Sequence, residues 1–367
     1  MKRKQIPLYI EYMPKSLSKP LLEELFSGRV METDKLNEFE KIFGKWIGNE
    51  NVAIVNNCTS GLHMSYRMVL EDPGDEIISS PVTFYGANSE ILNAGGKIVW
   101  ADVDPETGLI DPNDIEKRIT KRTKAIFYTH WSGNVADIDG INKVAEKHGL
   151  KTIADAAHGQ GALYKGKHLG NCTADFVVYS FQAAKHVTTG DGGAVAFKSP
   201  RLCEQARVLR WYGMNRDKRD RYLDHQYTIT SLGYRFFMNE IAATIGIEMM
   251  KHIDTVVKKY RENAKYYDRH LKVETYKQNP DGRSSYWLYL IKVPGGRVSE
   301  FIEYMEKNRV YASQVHARND HIPVFKDSIV NLPGVSAFYE KMCAIPVGWW
   351  LGEKDLEYIV HLVNNFR

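Results

Sequence analysis

The stretch YSFQAAKHVTTGDGG, from Tyr179 to Gly193, is the most informative segment of this 367-residue chain. The apolar run DFVVYSF leads into it and GAVAFK follows it, and both are typical of strands that are buried on both faces. The loop between them holds Lys185 and several glycines, which permit tight turns and close backbone approach. We therefore predict a strand–loop–strand unit that carries a lysine just past a strand end.

Short β-rich runs alternate with helical segments on both sides of this unit, from about residue 51 to residue 197. We predict seven strands, in NVAIVNN, DEIISSP, KIVWADV, KAIFYTHW, KTIADAA, ADFVVYSF and GAVAFK. The segments SGLHMSYRMVLE, NSEILNAG and INKVAEKHG predict helices between them. This pattern indicates an α/β fold with a mostly parallel seven-stranded sheet sandwiched by helices.

The length of the chain predicts about two domains. We expect a large domain over residues 1–250 and a smaller C-terminal α+β domain over residues 251–367. The segment 235–265 looks helical and would lead out of the large domain. Beyond it, YWLYLIKV predicts a strand, and VSEFIEYMEKNR and EKDLEYIVHLVNNF predict helices.

Composition excludes several classes of protein. The chain is 43% hydrophobic and 26% charged, which is typical of a globular protein, and a dispersed net charge of +4 is too weak to indicate nucleic-acid binding. No apolar run reaches the roughly 18 residues of a membrane span, and the basic start lacks a signal peptide's apolar core. The four cysteines lie far apart and form no CxxC pair, which argues against zinc and a disulfide scaffold. We expect a cytoplasmic enzyme without a metal.

Lys185 and Asp155 are candidates for the chemistry. Desolvation at a strand end lowers the pKa of an amine and makes it a competent Schiff-base nucleophile. Asp155 ends the strand of KTIADAA, where a lone carboxylate is costly unless a cation meets it. The pyridinium nitrogen of pyridoxal phosphate is such a cation. The alternatives are a surface lysine in a glycine loop and an aspartate that caps a helix.

Two further motifs lie at other strand ends. NNCTSGLH carries a strand into a helix at Thr59 and Ser60, where free backbone N–H groups and hydroxyls form a phosphate cradle. The alternative is a plain N-cap, and His63 in the same motif is expected to pack on the helix. Phe84 follows DEIISSP and could stack on a planar ring or belong to the core. The carboxyl ends of the strands in an open sheet are where its ligands bind.

In order and spacing, these segments resemble the DegT-type sugar-nucleotide aminotransferases, which have the aspartate-aminotransferase fold (fold type I) and use pyridoxal phosphate. The similarity runs over most of the chain, and the block SF-x₃-K-x₃-TGDGG carries the strongest signal. It extends to FEKIFGKWIG, ADVDPETGLID, IADAAHGQGALYKGKHLG and MNEIAATIG.

The resemblance implies roles around the cofactor ring. Lys185 would form the Schiff base and move the proton between cofactor and substrate carbon. Asp155 would pair with the pyridine nitrogen, and Phe84 would stack on the ring. His158, three residues after Asp155, would lie near the 3′-oxygen of the cofactor.

The resemblance also implies a phosphate site made by Thr59, Ser60 and Ser180. In the family, the segment that corresponds to GYRFFM (residues 233–238) comes from the neighbouring subunit. This implies a homodimer with its active site at the subunit interface, in which Arg235 would reach the phosphate as a charge-assisted donor. The alternative for Arg235 is a salt bridge within the dimer.

The lysine decides which reaction the resemblance implies. Dehydratases of the family replace it by histidine, whereas here Lys185 is present and His186 follows it. We therefore expect amino transfer from L-glutamate to a nucleotide-linked keto sugar, such as a 4-keto-6-deoxyhexose, for surface polysaccharide synthesis. The alternatives are a sugar dehydratase, an amino-cyclitol aminotransferase, or a catalytically silent sensor or assembly paralogue.

Two segments are candidates for substrate binding. His316 and Arg318 in SQVHARNDH occupy a position where relatives carry a substrate-facing loop. A basic run with interleaved aromatics could hold a nucleotide diphosphate, or could be a solvated loop whose charges Asp217, Asp220 and Asp224 balance. That run comprises Arg207, Arg210, Trp211, Tyr212, Arg216, Lys218, Arg219 and Arg221.

Overall fold

The computed structural model describes residues 4–31, 34–215, 229, 231–328 and 330–367. Its α-helices are α1 (Ser18–Phe26), α2 (Asp34–Ile47), α3 (Cys58–Arg67), α4 (Tyr85–Asn93), α5 (Pro112–Arg118), α6 (Ile138–His148), α7 (Pro200–Leu209), α8 (Glu240–Met250), α9 (Ile253–His270), α10 (Val298–Lys307), α11 (Pro333–Lys341) and α12 (Glu353–Asn365). Within the described ranges, none of the helices is long and apolar enough to cross a membrane.

The strands form one large sheet and two small ones. They are β1 (Val52–Val55), β2 (Glu76–Ser79), β3 (Lys97–Trp100), β4 (Thr123–Thr129), β5 (Lys151–Asp155), β6 (Leu163–Tyr164), β7 (Lys167–His168), β8 (Phe176–Ser180), β9 (Gly193–Phe197), β10 (Gly282–Arg283), β11 (Tyr289–Lys292) and β12 (Met342–Ile345). The large sheet has the order β1-β9-β8-β5-β4-β2-β3. Within it, β9 runs antiparallel to β1 and β8, and the other pairs are parallel. The seven predicted strands and the mostly parallel sheet are therefore confirmed.

The continuous apolar character of these strands has a direct cause, because both faces of the sheet are covered. In β4, Ala125 and Phe127 belong to one core and the alternate residues Ile126 and Tyr128 belong to another. The first core packs under α3, α4 and α7, and the second under α2, α6 and α8. Successive side chains of a strand point to opposite faces, so a strand buried on both faces shows no apolar–polar alternation.

The sequence suggested that the segment 235–265 is helical, and the structure divides it into two helices. The first helix starts only after Asn239, whose side chain caps it by accepting a hydrogen bond from the Ala242 N–H at 2.9 Å. It ends at Met250, and α9 starts at Ile253. The break lets α8 pack against α2 beneath the large sheet while α9 joins a different core.

That third core lies in the C-terminal part of the chain. Here β11 and β12 pair antiparallel, and α9, α10 and α12 contribute side chains such as Tyr267, Phe301 and Ile359 to one apolar cluster. The N-terminal segment joins it through Ile6, whose N–H donates to the Arg309 carbonyl at 2.8 Å. This α+β arrangement follows the predicted pattern. The proposed domain boundary after residue 250 falls between α8 and α9.

The start of the basic run stabilises the outer edge of β1. Glu40 accepts hydrogen bonds from the Ile54 N–H at 2.9 Å and from Arg207, and it is paired with the buried Arg210. Arg207 and Arg210 in turn donate to the Val52 and Ile54 carbonyls. These two arginines therefore provide hydrogen bonds to the free carbonyls of an edge strand, which argues against a role in nucleotide binding. The remaining charged members of the run, residues 216–221, lie outside the described residues.

We expect Glu40→Leu to lower the free energy of unfolding by about 3–5 kcal/mol, because it leaves Arg210 as a buried charge without its carboxylate. Chemical unfolding of the purified protein measures this effect. The control is Lys258→Met, which removes an exposed ion pair with Glu262 on α9 and should cost below about 0.5 kcal/mol. Equal losses in the two variants would contradict the assigned role of Glu40.

Candidate active site

A cavity of about 360 Å³ lies at the carboxyl ends of the parallel strands. Asp155 and Ser180, the last residues of β5 and β8, line it directly. The segments that follow β1 and β2 contribute Thr59 and Phe84. The sheet thus gathers residues that are far apart in sequence into one site, at the edge where open sheets bind ligands.

The N-terminus of α3 forms one wall of the cavity. Asn57 is the N-cap, and its side chain accepts a hydrogen bond from the Ser60 N–H at 2.7 Å. Thr59 lines the cavity, whereas Ser60 is buried and does not. A Cβ at Gly193 would lie 2.7 Å from the backbone of Asn57 and Cys58, so this glycine allows the close approach that the sequence predicted.

Lys185 and Asp155 face the same cavity. Burial lowers the pKa of Lys185, and the negative charge of Asp155 opposes that shift. Burial raises the pKa of Asp155, against a hydrogen bond from the Ala157 N–H at 2.8 Å and the charge of Lys185. Each group therefore favours the charged form of the other.

The lysine loop is held at both ends by Gln160, which sequence analysis did not identify. Its amide donates to the Ser180 carbonyl at 2.6 Å and to the Val187 carbonyl at 3.0 Å, and its oxygen accepts from the Val187 N–H at 2.6 Å. Gln160 is fully buried. These three bonds span the segment that carries Lys185 and fix where the loop leaves and rejoins the sheet.

An aromatic and imidazole wall also lines the cavity, and it consists of His158, Trp287 and His316. The ring of His158 stacks on Trp287 with centroids 3.7 Å apart and planes 17° apart, and His316 lies 5.8 Å from His158. Burial lowers the pKa of His158 far below its usual value and that of His316 to about 3. Both imidazoles are therefore neutral, and the Nδ1 atom of each has no hydrogen-bond partner among the described residues.

Phe84 lies at the rim of the cavity. It is 51% exposed, precedes the first residue of α4, and has its ring centroid 5.4 Å from that of His316 at an angle of 50°. Thr83 next to it is bound by the Thr129 hydroxyl at 2.9 Å, which ties the loop after β2 to the end of β4. The phenyl ring of Phe84 can therefore cover a planar molecule bound in the cavity.

Three predicted residues are absent from the lining of this cavity. They are Arg318, Arg235 and Ser60, whose phosphate-binding role stays a prediction. Arg318 forms a bidentate ion pair with Asp320, at 2.9 and 2.6 Å, and donates to the Ser336 hydroxyl at 3.0 Å. Arg235 is exposed and borders a neighbouring cavity that shares Asp191 with the first one. The role of Arg235 in a partner's site and that of Arg318 in substrate binding stay predictions.

The motif histidine His63 has a structural environment. Its ring lies 2.7 Å from the Glu90 carboxylate and 3.2 Å from the Tyr234 hydroxyl, as expected for a histidine that packs on a helix. Among the described residues, no group of three or more histidine, cysteine or acidic side chains could hold a metal ion.

The comparison with protein families agrees with this site. A model of the DegT/DnrJ/EryC1/StrS aminotransferase family matches residues 14–364. The chain belongs to this family. The DegT-type resemblance noted in the sequence is therefore confirmed, and the comparisons support pyridoxal phosphate as the cofactor.

Individual relatives of the family match along their whole length. The spore coat polysaccharide biosynthesis protein SpsC of Bacillus subtilis is 29% identical, over 98% of this chain and 96% of SpsC. The sugar aminotransferase CalS13 from Micromonospora echinospora is 33% identical, with a TM-score of 0.94 over 99% of this chain and 100% of that one. Helicobacter pylori PseC, an aminotransferase involved in the biosynthesis of pseudoaminic acid, is 26% identical, with a TM-score of 0.90 over 98% of each chain.

The residues around the cavity fit pyridoxal phosphate. A helix N-terminus with Thr59 suits the phosphate, and the buried carboxylate of Asp155 suits the pyridine nitrogen. The unpartnered Nδ1 atom of the buried His158 leaves a hydrogen-bonding position for the 3′-oxygen. Lys185 supplies the primary amine that the cofactor aldehyde requires.

Several lining residues were not identified from the sequence. They are Tyr9, Asn57, Cys58, Thr83, Gln182, Asp191, Trp287 and Val315. Asn57, Cys58 and Thr83 are neighbours of motif residues and could have been included. Tyr9 and Trp287 come from distant segments without a motif, and only the folded chain brings them to the cavity.

We expect Gln160→Leu to lower the free energy of unfolding by at least about 2 kcal/mol, because it leaves the buried Val187 N–H and two carbonyls unpaired. Thermal or chemical unfolding measures the loss, and the exposed Gln205→Leu on α7 is the matched control. A Gln160→Leu protein as stable as the control would show that the three hydrogen bonds of Gln160 do not stabilise the fold.

Proposed function

We propose that this protein transfers the amino group of L-glutamate to a nucleotide-linked keto sugar, with Lys185 as its catalytic residue. The observation that carries the proposal is the Lys185 amine facing the buried Asp155 carboxylate within the cavity. When bound there, pyridoxal phosphate supplies an aldehyde that condenses with primary amines and a ring that accepts electrons from the substrate carbon.

Lys185 has two tasks in this proposal. Its desolvated amine is uncharged over a wider pH range than an ordinary lysine, so it can attack a carbonyl carbon. The same Nζ atom, when free, would accept the proton from the substrate carbon and later return it. A base with a pKa near neutrality is well suited to both directions of this transfer.

The other residues would bind the cofactor and orient its ring. The Asp155 carboxylate would hold the proton of the pyridine nitrogen in a charge-assisted hydrogen bond. Thr59 and Ser180 would donate to the phosphate beside the α3 N-terminus, and Arg235 of a second subunit would add a cation there. Phe84 would cover the ring face. This assignment makes the active protein a homodimer with sites at the subunit interface.

The position of His186 supports transamination over dehydration. The family's dehydratases carry histidine in place of the lysine, and here the histidine is one residue later. His186 is buried, and its Nε2 lies 3.1 Å from the Ser285 carbonyl rather than in the cavity. The side chain available for proton transfer is therefore an amine.

The proposed substrate class rests on the family and on the side of the cavity where Phe84 is exposed. His316 lies beside the exposed ring of Phe84, and an aromatic ring at the rim suits a sugar with an apolar face. The relation to SpsC, a spore coat polysaccharide biosynthesis protein, supports a product used in surface polysaccharide synthesis. We place the enzyme in the cytoplasm, and the keto sugar we favour is a 4-keto-6-deoxyhexose.

We expect Lys185→Ala to lower turnover by at least about a hundredfold, since it removes the base for proton transfer. The visible absorbance of the bound cofactor should also change, because no Schiff base with the protein can form. Lys198→Ala, at the opposite end of β9, is the control and should retain both properties. Unchanged absorbance and turnover in Lys185→Ala would rule the proposal out.

Labelled glutamate separates transamination from dehydration. With ¹⁵N-glutamate and a nucleotide-linked keto sugar, we expect the label to appear in the sugar product, measured by mass spectrometry. A deoxygenated product without nitrogen would establish the dehydratase alternative. When a keto-cyclitol is offered together with the nucleotide sugar, a labelled amino-cyclitol formed in preference to a labelled nucleotide sugar would establish the amino-cyclitol alternative.

A further inference from the structure

Trp287 makes three contacts around the reacting amine. Its indole N–H donates to the Ala184 carbonyl at 2.7 Å, next to the lysine in the chain. The Lys185 Nζ atom lies 4.0 Å from the centroid of its ring, and His158 stacks on the same indole at 3.7 Å. One rigid side chain thus touches the backbone of the lysine loop, the amine itself and a neighbouring imidazole.

The backbone just before Trp287 and just before His316 has an unusual conformation. Tyr286, immediately before Trp287, has a φ of 53°, and Val315, immediately before His316, has a φ of 66°. The left-handed region is unfavourable for both residues, and a β-branched residue such as valine is a clear outlier there. Such strain persists only where the surroundings enforce it, and it concentrates at functional sites.

Further bonds hold this segment against the lysine loop. The Ser285 hydroxyl donates to the His158 carbonyl at 2.7 Å, and the Ser285 carbonyl accepts from His186 at 3.1 Å. The residues on both sides of Lys185, Ala184 and His186, are therefore bound by residues 285–287. The indole is fixed relative to the loop and cannot move independently of it.

We infer that Trp287 is a positioning residue that holds the Lys185 amine and the His158 imidazole in the cavity, in the positions that the reaction requires. The inference rests on the proposed function for its kinetic consequence, but the contacts exist without it. An aromatic face within about 6 Å of an ammonium group stabilises the charged form. Trp287 and Asp155 thus both oppose the lowering of the Lys185 pKa that burial causes.

Other titratable groups also surround the amine. Those that line the cavity with Lys185 are Tyr9, Cys58, Asp155, His158, Asp191 and His316. None of them touches the Ala184 carbonyl in the described part of the chain, so the indole N–H bond is a separable contribution. Trp287→Phe removes this bond and keeps an aromatic face, whereas Trp287→Leu removes both.

The first test uses the cofactor-free chain and requires no turnover. The rate at which cyanate modifies Lys185 is followed against pH by peptide mass spectrometry, which gives the pKa of the amine. We expect Trp287→Leu to lower this pKa by about half a unit to one unit, and Trp287→Phe to lower it less. An unchanged pKa in Trp287→Leu would overturn the inference, whatever the proposed function proves to be.

The second test measures the loaded enzyme. Trp287→Phe should lower kcat about fivefold or more with little change in KM, because the loop loses one hydrogen bond that aligns the amine. Trp350→Phe, a tryptophan packed against the C-terminal core, is the control and should leave kcat unchanged. A pure KM effect, or an equal loss of kcat in both variants, would contradict a positioning role; so would Trp287→Phe with wild-type kcat.

Discussion

A primary amine and a carboxylate line the same cavity at the strand ends, and the residues around them hold this pair in place. Burial lowers the pKa of Lys185 and raises that of Asp155, and the charge of each opposes the shift of the other. Their mutual stabilisation requires a rigid surrounding, because the attraction between the two charges weakens as their distance grows. Gln160 and Trp287 supply that rigidity from two sides, by hydrogen bonds to the segment that carries the lysine.

The sheet explains why these groups meet. Parallel strands bring all their carboxyl ends to one edge, so residues as distant as Thr59, Asp155 and Ser180 become neighbours without any direct sequence signal between them. This is also why the sequence predicted so much of the site. A strand buried on both faces is readable as an apolar run, and the polar residue that ends the run must lie at the edge. That rule places Asp155 and the start of α3 at the edge and Lys185 in the loop just past it, whereas their roles rest on the family resemblance.

The parts that could not be predicted depend on contacts across the fold. Trp287 belongs to a segment that reads as a strand of the C-terminal part, and nothing local shows that its indole lies over Lys185. Arg207 and Arg210 look like a phosphate-binding run, but their partner Glu40 is more than 160 residues away and the pairing appears only when β1 becomes an edge strand. Ser60 lies beside Thr59 in the motif, yet it is buried and does not line the cavity.

The central claim is that the cofactor joins the chain at Lys185, and one measurement tests it most directly. Borohydride reduction fixes a Schiff base as a stable secondary amine, and peptide mass spectrometry then locates the phosphopyridoxyl group. The account predicts a single modified lysine, at position 185, in protein purified with its cofactor. Modification at another lysine, or none in a protein that retains bound pyridoxal phosphate, would contradict it.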